Sequence, residues 1–227
     1  MVKVTFLGHS AFYVESEGLR GLIDPFLTGN PMATSKPEDF PDVNFIFVTH
    51  GHGDHIGDTV SIAKNTQATV ISNFELSHFF QKQGLMCHPM HIGGVFKFPF
   101  GRVKLTNALH GSDVEVEGEL VPGGNPVGFL LELGGKKIYH AGDTGLTMDM
   151  QLLEKEKVDI AMLPIGGNFT MDIADAVRAV GMIRPEIVIP MHYDTFEVIS
   201  ADPQAFRDQV PQGVRTEILK AGQFLEI

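Results

Sequence analysis

Residues 45–55 read Phe45-Ile46-Phe47-Val48-Thr49-His50-Gly51-His52-Gly53-Asp54-His55. Four apolar residues in succession predict a short strand buried on both faces. Directly behind it stand three histidines and an aspartate within six residues. Imidazole and carboxylate are strong ligands for zinc and similar ions. In extended backbone, residues two apart point the same way, so His50 and His52 can grip one ion. Asp54 and His55 fall in the turn into the next helix and can face a second. The small residues Gly51 and Gly53 are expected to let the backbone bend tightly around the metals.

Outward from this stretch the elements alternate. Towards the N-terminus, 2–7, 11–15 and 19–23 pattern as strands, the last two joined by a turn at Glu17-Gly18. Towards the C-terminus a helix is predicted over 58–64, a strand over 68–71 and a helix over 74–83. The middle is β-rich, with strands over 95–98 and 102–108. Strands over 127–133 and 136–140 flank Gly134-Gly135, a two-residue hairpin signal. Helices over 147–156, 172–183 and 203–210 then alternate with strands over 160–164 and 187–190. Segments 217–220 and 223–227 pattern as a closing hairpin. Strands open each half and βα units follow, an order that two packed sheets with helices outside would satisfy. Residues 1–227 are expected to form one domain of two halves, with no linker or low-complexity tract.

Composition limits the function classes. The chain is 43% hydrophobic and 20% charged, as in an ordinary globular protein. No run approaches the roughly 20 apolar residues that cross a bilayer, and Met1–Ser10 patterns as a first strand rather than a signal peptide. A formal net charge of −11 disfavours nucleic acid as a partner. The lone Cys87 forms no intrachain disulfide, which fits a cytoplasmic location. A small-molecule substrate is expected, and a homo-oligomer is compatible with everything above.

More candidate ligands end later strands: His110 after 102–108, Asp143 in His140-Ala141-Gly142-Asp143, and His192 in Pro190-Met191-His192. Polar groups where buried strands meet loops commonly build sites. The run His50-x-His52-x-Asp54-His55, followed by His110, Asp143 and His192 in that order, resembles the metallo-β-lactamase superfamily over essentially the whole chain. Leu7-Gly8-His9-Ser10, Ile23-Asp24-Pro25-Phe26, His91-Ile92-Gly93-Gly94 and Leu163-Pro164-Ile165-Gly166-Gly167-Asn168 are similar to a bacterial and archaeal group of metal-dependent hydrolases, near the ascorbate-phosphate lactonase branch.

The resemblance implies a four-layer αββα sandwich of α/β (α+β) class. It implies one metal on His50, His52 and His110, a second on Asp54, His55 and His192, and Asp143 bridging. Two divalent ions are therefore expected, zinc first, with manganese, nickel or iron as alternatives. By charge counting alone, a centre of two such ions, two carboxylates and a hydroxide retains about +1. A metal lowers the pKa of bound water from 15.7 to about 7. The implied activity is hydrolysis of an ester, lactone, thioester, amide or phosphodiester by metal-bound hydroxide, with Asp54 orienting the hydroxide and taking its proton. Three alternatives stay open: an RNA-cleaving nuclease on the same site, an iron-dependent oxygenase of the same fold, and a metal-holding protein without turnover. The di-iron branch has Glu where His52 stands, whereas the mono-iron branch shares the motif.

The remaining histidines divide. His78 sits inside the 74–83 helix, and His88 and His91 flank Pro89 in a loop; surface or packing duty explains all three. His9 and His140 end strands near the motif, so packing and contact with ligands or substrate are equally good readings. The resemblance favours Asp24 as a carboxylate bonded to a ligand histidine, which fixes the imidazole tautomer. Asn168 lies in a glycine-rich loop expected to rim the site, as does Gly123-Gly124-Asn125.

Overall fold

A computed structural model of the chain describes all 227 residues. Two seven-stranded mixed sheets stack face to face with helices outside. The first half supplies β1 (Lys3–Gly8), β2 (Ala11–Ser16), β3 (Leu19–Ile23) and β4 (Phe45–Phe47). A one-turn helix α1 (Gly53–Ile56), α2 (Thr59–Thr66), β5 (Thr69–Asn73), α3 (Phe74–Lys82) and β6 (Cys87–Met90) follow. The second half supplies β7 (Val95–Phe98), β8 (Gly101–Asn107), a separate hairpin of β9 (Val114–Val116) and β10 (Glu119–Val121), then β11 (Val127–Leu133) and β12 (Lys136–His140). β13 (Ile160–Pro164), α4 (Ile173–Ile183), β14 (Ile187–Met191), α5 (Pro203–Gln209), β15 (Arg215–Thr216) and β16 (Phe224–Glu226) complete it. The first sheet runs β16-β1-β2-β3-β4-β5-β6, and the second β15-β14-β13-β12-β11-β8-β7.

Residue alternation explains the layers. Along β1 and β2, Val4, Phe6, Phe12 and Val14 enter the large core between the sheets. Leu7, Ala11 and Tyr13 turn to a smaller core under α2 and α3. β4 is apolar on both sides because it serves both: Phe47 meets Phe129 of β11 across the sandwich, ring centroids 5.4 Å apart, while Ile46 packs below Ile62 and Phe80. Full burial of one such side chain contributes about 1.5–3 kcal/mol.

Three expectations change. The 147–156 segment forms 3-10 turns over Met148–Glu156 instead of an α-helix. Residues 87–90, read as a loop, are β6, an edge strand in which Pro89 is tolerated because its missing N–H faces no partner strand. The closing hairpin does not form. β15 pairs in parallel with β14, and β16 crosses to the other sheet to pair with β1, Val4 opposite Leu225. Period-two patterning identifies strands but is silent on which free edge they join.

The strands that lead into the candidate site end on one side of the sandwich: β3, β4, β12, β13 and β14 each run parallel to a neighbour, and β1, antiparallel to β2, points the same way as β3. β1, β3, β4, β12, β13 and β14 thereby deliver residues 8–10, 24–26, 48–58, 141–143, 165–172 and 192–199 to one cleft.

Candidate metal centre

The seven candidate ligands converge. His50, His52 and His110 form one group of donor atoms within 4.8 Å of one another, and Asp54, His55 and His192 form another together with His9. His50 Nε2 and His110 Nε2 lie 3.1 and 3.3 Å from His52 Nδ1. Asp143 stands between the groups, its carboxylate 3.3 Å from His55 Nε2, 2.9 Å from His192 Nε2 and 3.6 Å from His110 Nε2.

Local chemistry explains why this loop holds its shape. Asp24, at φ 45° after β3, is fully buried. Its Oδ1 accepts from Thr49 N at 2.8 Å, and its Oδ2 from Thr49 Oγ1 at 2.6 Å and His55 Nδ1 at 2.7 Å. The Thr49 hydroxyl has one proton and gives it to Asp24. The 2.9 Å contact with His50 Nδ1 therefore requires His50 to donate. Both His50 and His55 are thus held as the Nδ1–H tautomer, with Nε2 lone pairs aimed into the cleft. One carboxylate orients a donor in each group.

The glycines divide as well. A Cβ on Gly51 would lie 2.3 Å from Ser112 O, so this position admits no side chain beside the 108–114 segment. At Gly53 nothing lies within 4 Å, and neither residue has positive φ. Close backbone approach at Gly51, not bending at both, is the physical reason for the pattern.

His9 joins the centre. Its Nδ1 lies 2.8 Å from Thr195 Oγ1 and its Nε2 3.2 Å from Asp54 Oδ2. Burial, the dominant influence and opposed by the Asp54 hydrogen bond, brings the His9 pKa down to about 4. The neutral ring donates to Asp54 from Nε2 and accepts from Thr195 at Nδ1. With both nitrogens engaged it braces Asp54. Burial pushes the Asp54 carboxyl up, but the His9 hydrogen bond and the nearby His55 outweigh it and hold the group well below the usual range. Thr195 carried no signal in the sequence; it reaches His9 only because β14 and β1 end on the same side.

His140 is a strut. Its Nε2 donates to Ser10 O at 2.9 Å and its Nδ1 accepts from Gly142 N at 3.1 Å, so neither nitrogen faces the cleft. Asn168 lies on an exposed turn at φ 51°. His78 is exposed on α3, and His91 stacks on Phe74.

The donor set fits a metal. His55 Nε2 and Asp143 Oδ1 are buried and 3.3 Å apart, yet neither makes a hydrogen bond. Leaving such groups unpaired is costly, and a cation shared between them removes the cost. Burial opposes charge on His55, but Asp143 and then Asp24 outweigh it and raise its pKa well above the usual value. That field favours positive charge at this spot, and a metal ion supplies it as a proton does.

Comparison with known proteins agrees. The sequence model of the beta-lactamase superfamily domain matches residues 3–192. A UPF0173 metal-dependent hydrolase of Alkaliphilus metalliredigens is 57% identical over 210 residues, 92% of this chain and 93% of its own. Another, from Desulforamulus reducens, is 53% identical over the full length of both. Among solved structures, Igni18, a metallo hydrolase of Ignicoccus hospitalis, superposes with a TM-score of 0.91 at 37% identity, covering 100% of this chain and 99% of its own. The chain belongs to the metallo-β-lactamase superfamily, within its group of metal-dependent hydrolases.

Proposed function

We propose that residues 1–227 form one hydrolase domain that uses two divalent ions to direct water onto an ester, lactone, thioester or phosphodiester-type bond of a small molecule in the cytoplasm. The observation that carries this reading is the pair of buried, unbonded atoms His55 Nε2 and Asp143 Oδ1 at the junction of two donor groups. His50, His52 and His110 would hold one ion, Asp54, His55 and His192 the other, and Asp143 would touch both. Zinc suits this histidine-rich set best, with manganese, nickel or iron as alternatives. When bound, such ions act as Lewis acids and make hydroxide available near neutral pH.

The chain's own groups complete the chemistry. Asp54, held at one oxygen by His9, orients the attacking water, accepts its proton and passes it to the leaving group. Asp24 and Thr49 keep the imidazoles aligned throughout. No protein nucleophile takes part. Cys87 lies on the β6 edge, and burial pushes its thiol up to about 11, which leaves it unreactive.

The test is metal content and turnover, measured together after stripping with a strong chelator and after adding back one ion at a time. A panel of lactones, thioesters, simple esters and phosphodiesters is assayed at each stage. Turnover that returns with two equivalents of metal supports the reading. Full activity in metal-free protein sinks it, and oxygen consumption by iron-loaded protein without hydrolysis would establish an oxygenase instead.

A further inference from the structure

We infer that the substrate is an uncharged acyl compound with an apolar body, bearing no anionic group beyond the bond that is cleaved. The inference rests on the hydrolase reading above and deepens it.

Two observations carry it. The first is the rim of the cleft. Phe196 is 42% exposed, its ring centroid 5.7 Å from that of His9 and 6.5 Å from that of half-buried Phe26. This apolar pair flanks the Asp54 side. On the Asp143 side, Leu109 is 63% exposed next to His110, and its N–H donates to Thr144 Oγ1. Phe169 is 55% exposed in a turn that is tied to the same residue by the Met171 N–H on Thr144 O. Large apolar side chains left in water on both sides of a reactive centre are suited to grip an apolar body.

The second observation is charge. Segments 7–12, 23–35, 48–59, 108–128, 141–151, 165–177 and 191–206 hold every cluster residue and the apolar rim residues named above, and end just before Lys36, Arg178 and Arg207. None of them contains a lysine or an arginine. They do carry exposed Asp113, Glu115, Asp149, Asp194 and Glu197. Sites that bind phosphate or carboxylate groups do so with Arg, Lys or a helix N-terminus. α4 begins within these segments, but its N-terminus is already capped by the Asp172 carboxylate, so a substrate's distal anion would meet exposed carboxylates and no cation from these segments. The metals can receive the one oxygen that becomes negative during cleavage, but nothing beyond them compensates a second charge. That charge balance disfavours nucleotide-bearing thioesters and polynucleotides, which carry phosphates beside the bond that is cleaved.

Matched p-nitrophenyl esters test the inference on the full-length, metal-loaded protein: acetate, hexanoate and the mono-ester of adipate, which adds a carboxylate to a six-carbon chain. At low salt we expect kcat/KM for the hexanoate to exceed that for the adipate mono-ester by about tenfold or more. Raising ionic strength should narrow the gap by accelerating the adipate ester alone, because repulsion is screened. Phe196→Ala, at matched thermal stability, should lower kcat/KM for the hexanoate by about fivefold to tenfold and for the acetate by less than about twofold. An adipate ester cleaved as well as the hexanoate overturns the inference. So does an equal loss on acetate and hexanoate in Phe196→Ala, which would mean that Phe196 only supports His9. Turnover of RNA or bis(p-nitrophenyl) phosphate without ester cleavage also overturns it, while leaving the hydrolase reading intact. If protein holding two metals hydrolyses none of these, the hydrolase reading fails and takes the inference with it.

Discussion

The two donor groups of the centre are built differently. His52 and His110 are half-buried, and their nearest polar neighbours are each other and His50. This first group is braced only at His50, through Thr49; the second has more outer partners, although the His192 Nδ1 makes no hydrogen bond. His55 bonds Asp24, Asp54 bonds His9, and His192 lies against His9 with ring centroids 4.1 Å apart while its backbone N–H donates to His9 O at 2.8 Å. A ligand held by an outer partner loses less freedom on binding and keeps its tautomer. The braced group should therefore hold its ion more tightly and exchange it more slowly than the His50, His52, His110 group, although both draw on the same Asp143.

The most damaging change should be Asp143→Asn, because that carboxylate approaches both groups. Removing a principal charge from a buried, charge-matched site costs on the order of 3–5 kcal/mol, which corresponds to a rate loss of roughly a hundredfold to several thousandfold. Metal content should fall below two equivalents. Two tightly bound ions and a full rate would mean that the groups are independent. Asp24→Asn comes next, with metal affinity weakened by about 10–100-fold. Its contacts reach His55 directly and His50 through Thr49, so a metal titration should show both binding steps shifted; a shift in one step alone would end the idea of a shared brace.

Smaller effects sharpen the contrast. Gly51→Ala should cost about 1–3 kcal/mol in thermal or denaturant unfolding, since its Cβ would drive the loop carrying His50 and His52 off Ser112. Gly53→Ala should stay within about 0.5 kcal/mol, and equal losses at both would restore bending as the explanation. Thr195→Val removes the hydroxyl that fixes the His9 tautomer. We expect kcat to fall by several-fold, on the scale of about 1 kcal/mol for one hydrogen bond, with metal content and KM unchanged and Thr195→Ser restoring the rate. His78→Ala, on the exposed face of α3, should change neither metal content nor rate.

Legibility followed the range of the interaction. The Gly134-Gly135 turn sets β11 and β12 to the residues predicted, because both glycines take positive φ and fix the register. The His50–His55 motif is just as local. From their own surroundings His110, Asp143 and His192 are legible only as polar residues at strand ends; the resemblance to the superfamily supplies their reading as ligands, and the fold brings them within reach of the motif. Interactions between distant segments left little trace. The His9 partner Thr195 lies 186 positions away. The role of His140 as a strut depends on a turn in the other sheet, and β16 chooses its sheet by an edge that no periodicity reveals.

The placement of β16 has a consequence for how the molecule is made. The first sheet stays one strand short until residues 224–226 exist, so the outer edge of β1 has no partner while all of the second half is synthesised. Pairing over so long a separation raises contact order and slows folding, and an open edge meanwhile invites association with other nascent chains. β1 leads directly into Gly8-His9, whose backbone carbonyl receives the His192 N–H. Closure of that sheet and alignment of the braced donor group should therefore occur together, late, and after the last strand has left the ribosome.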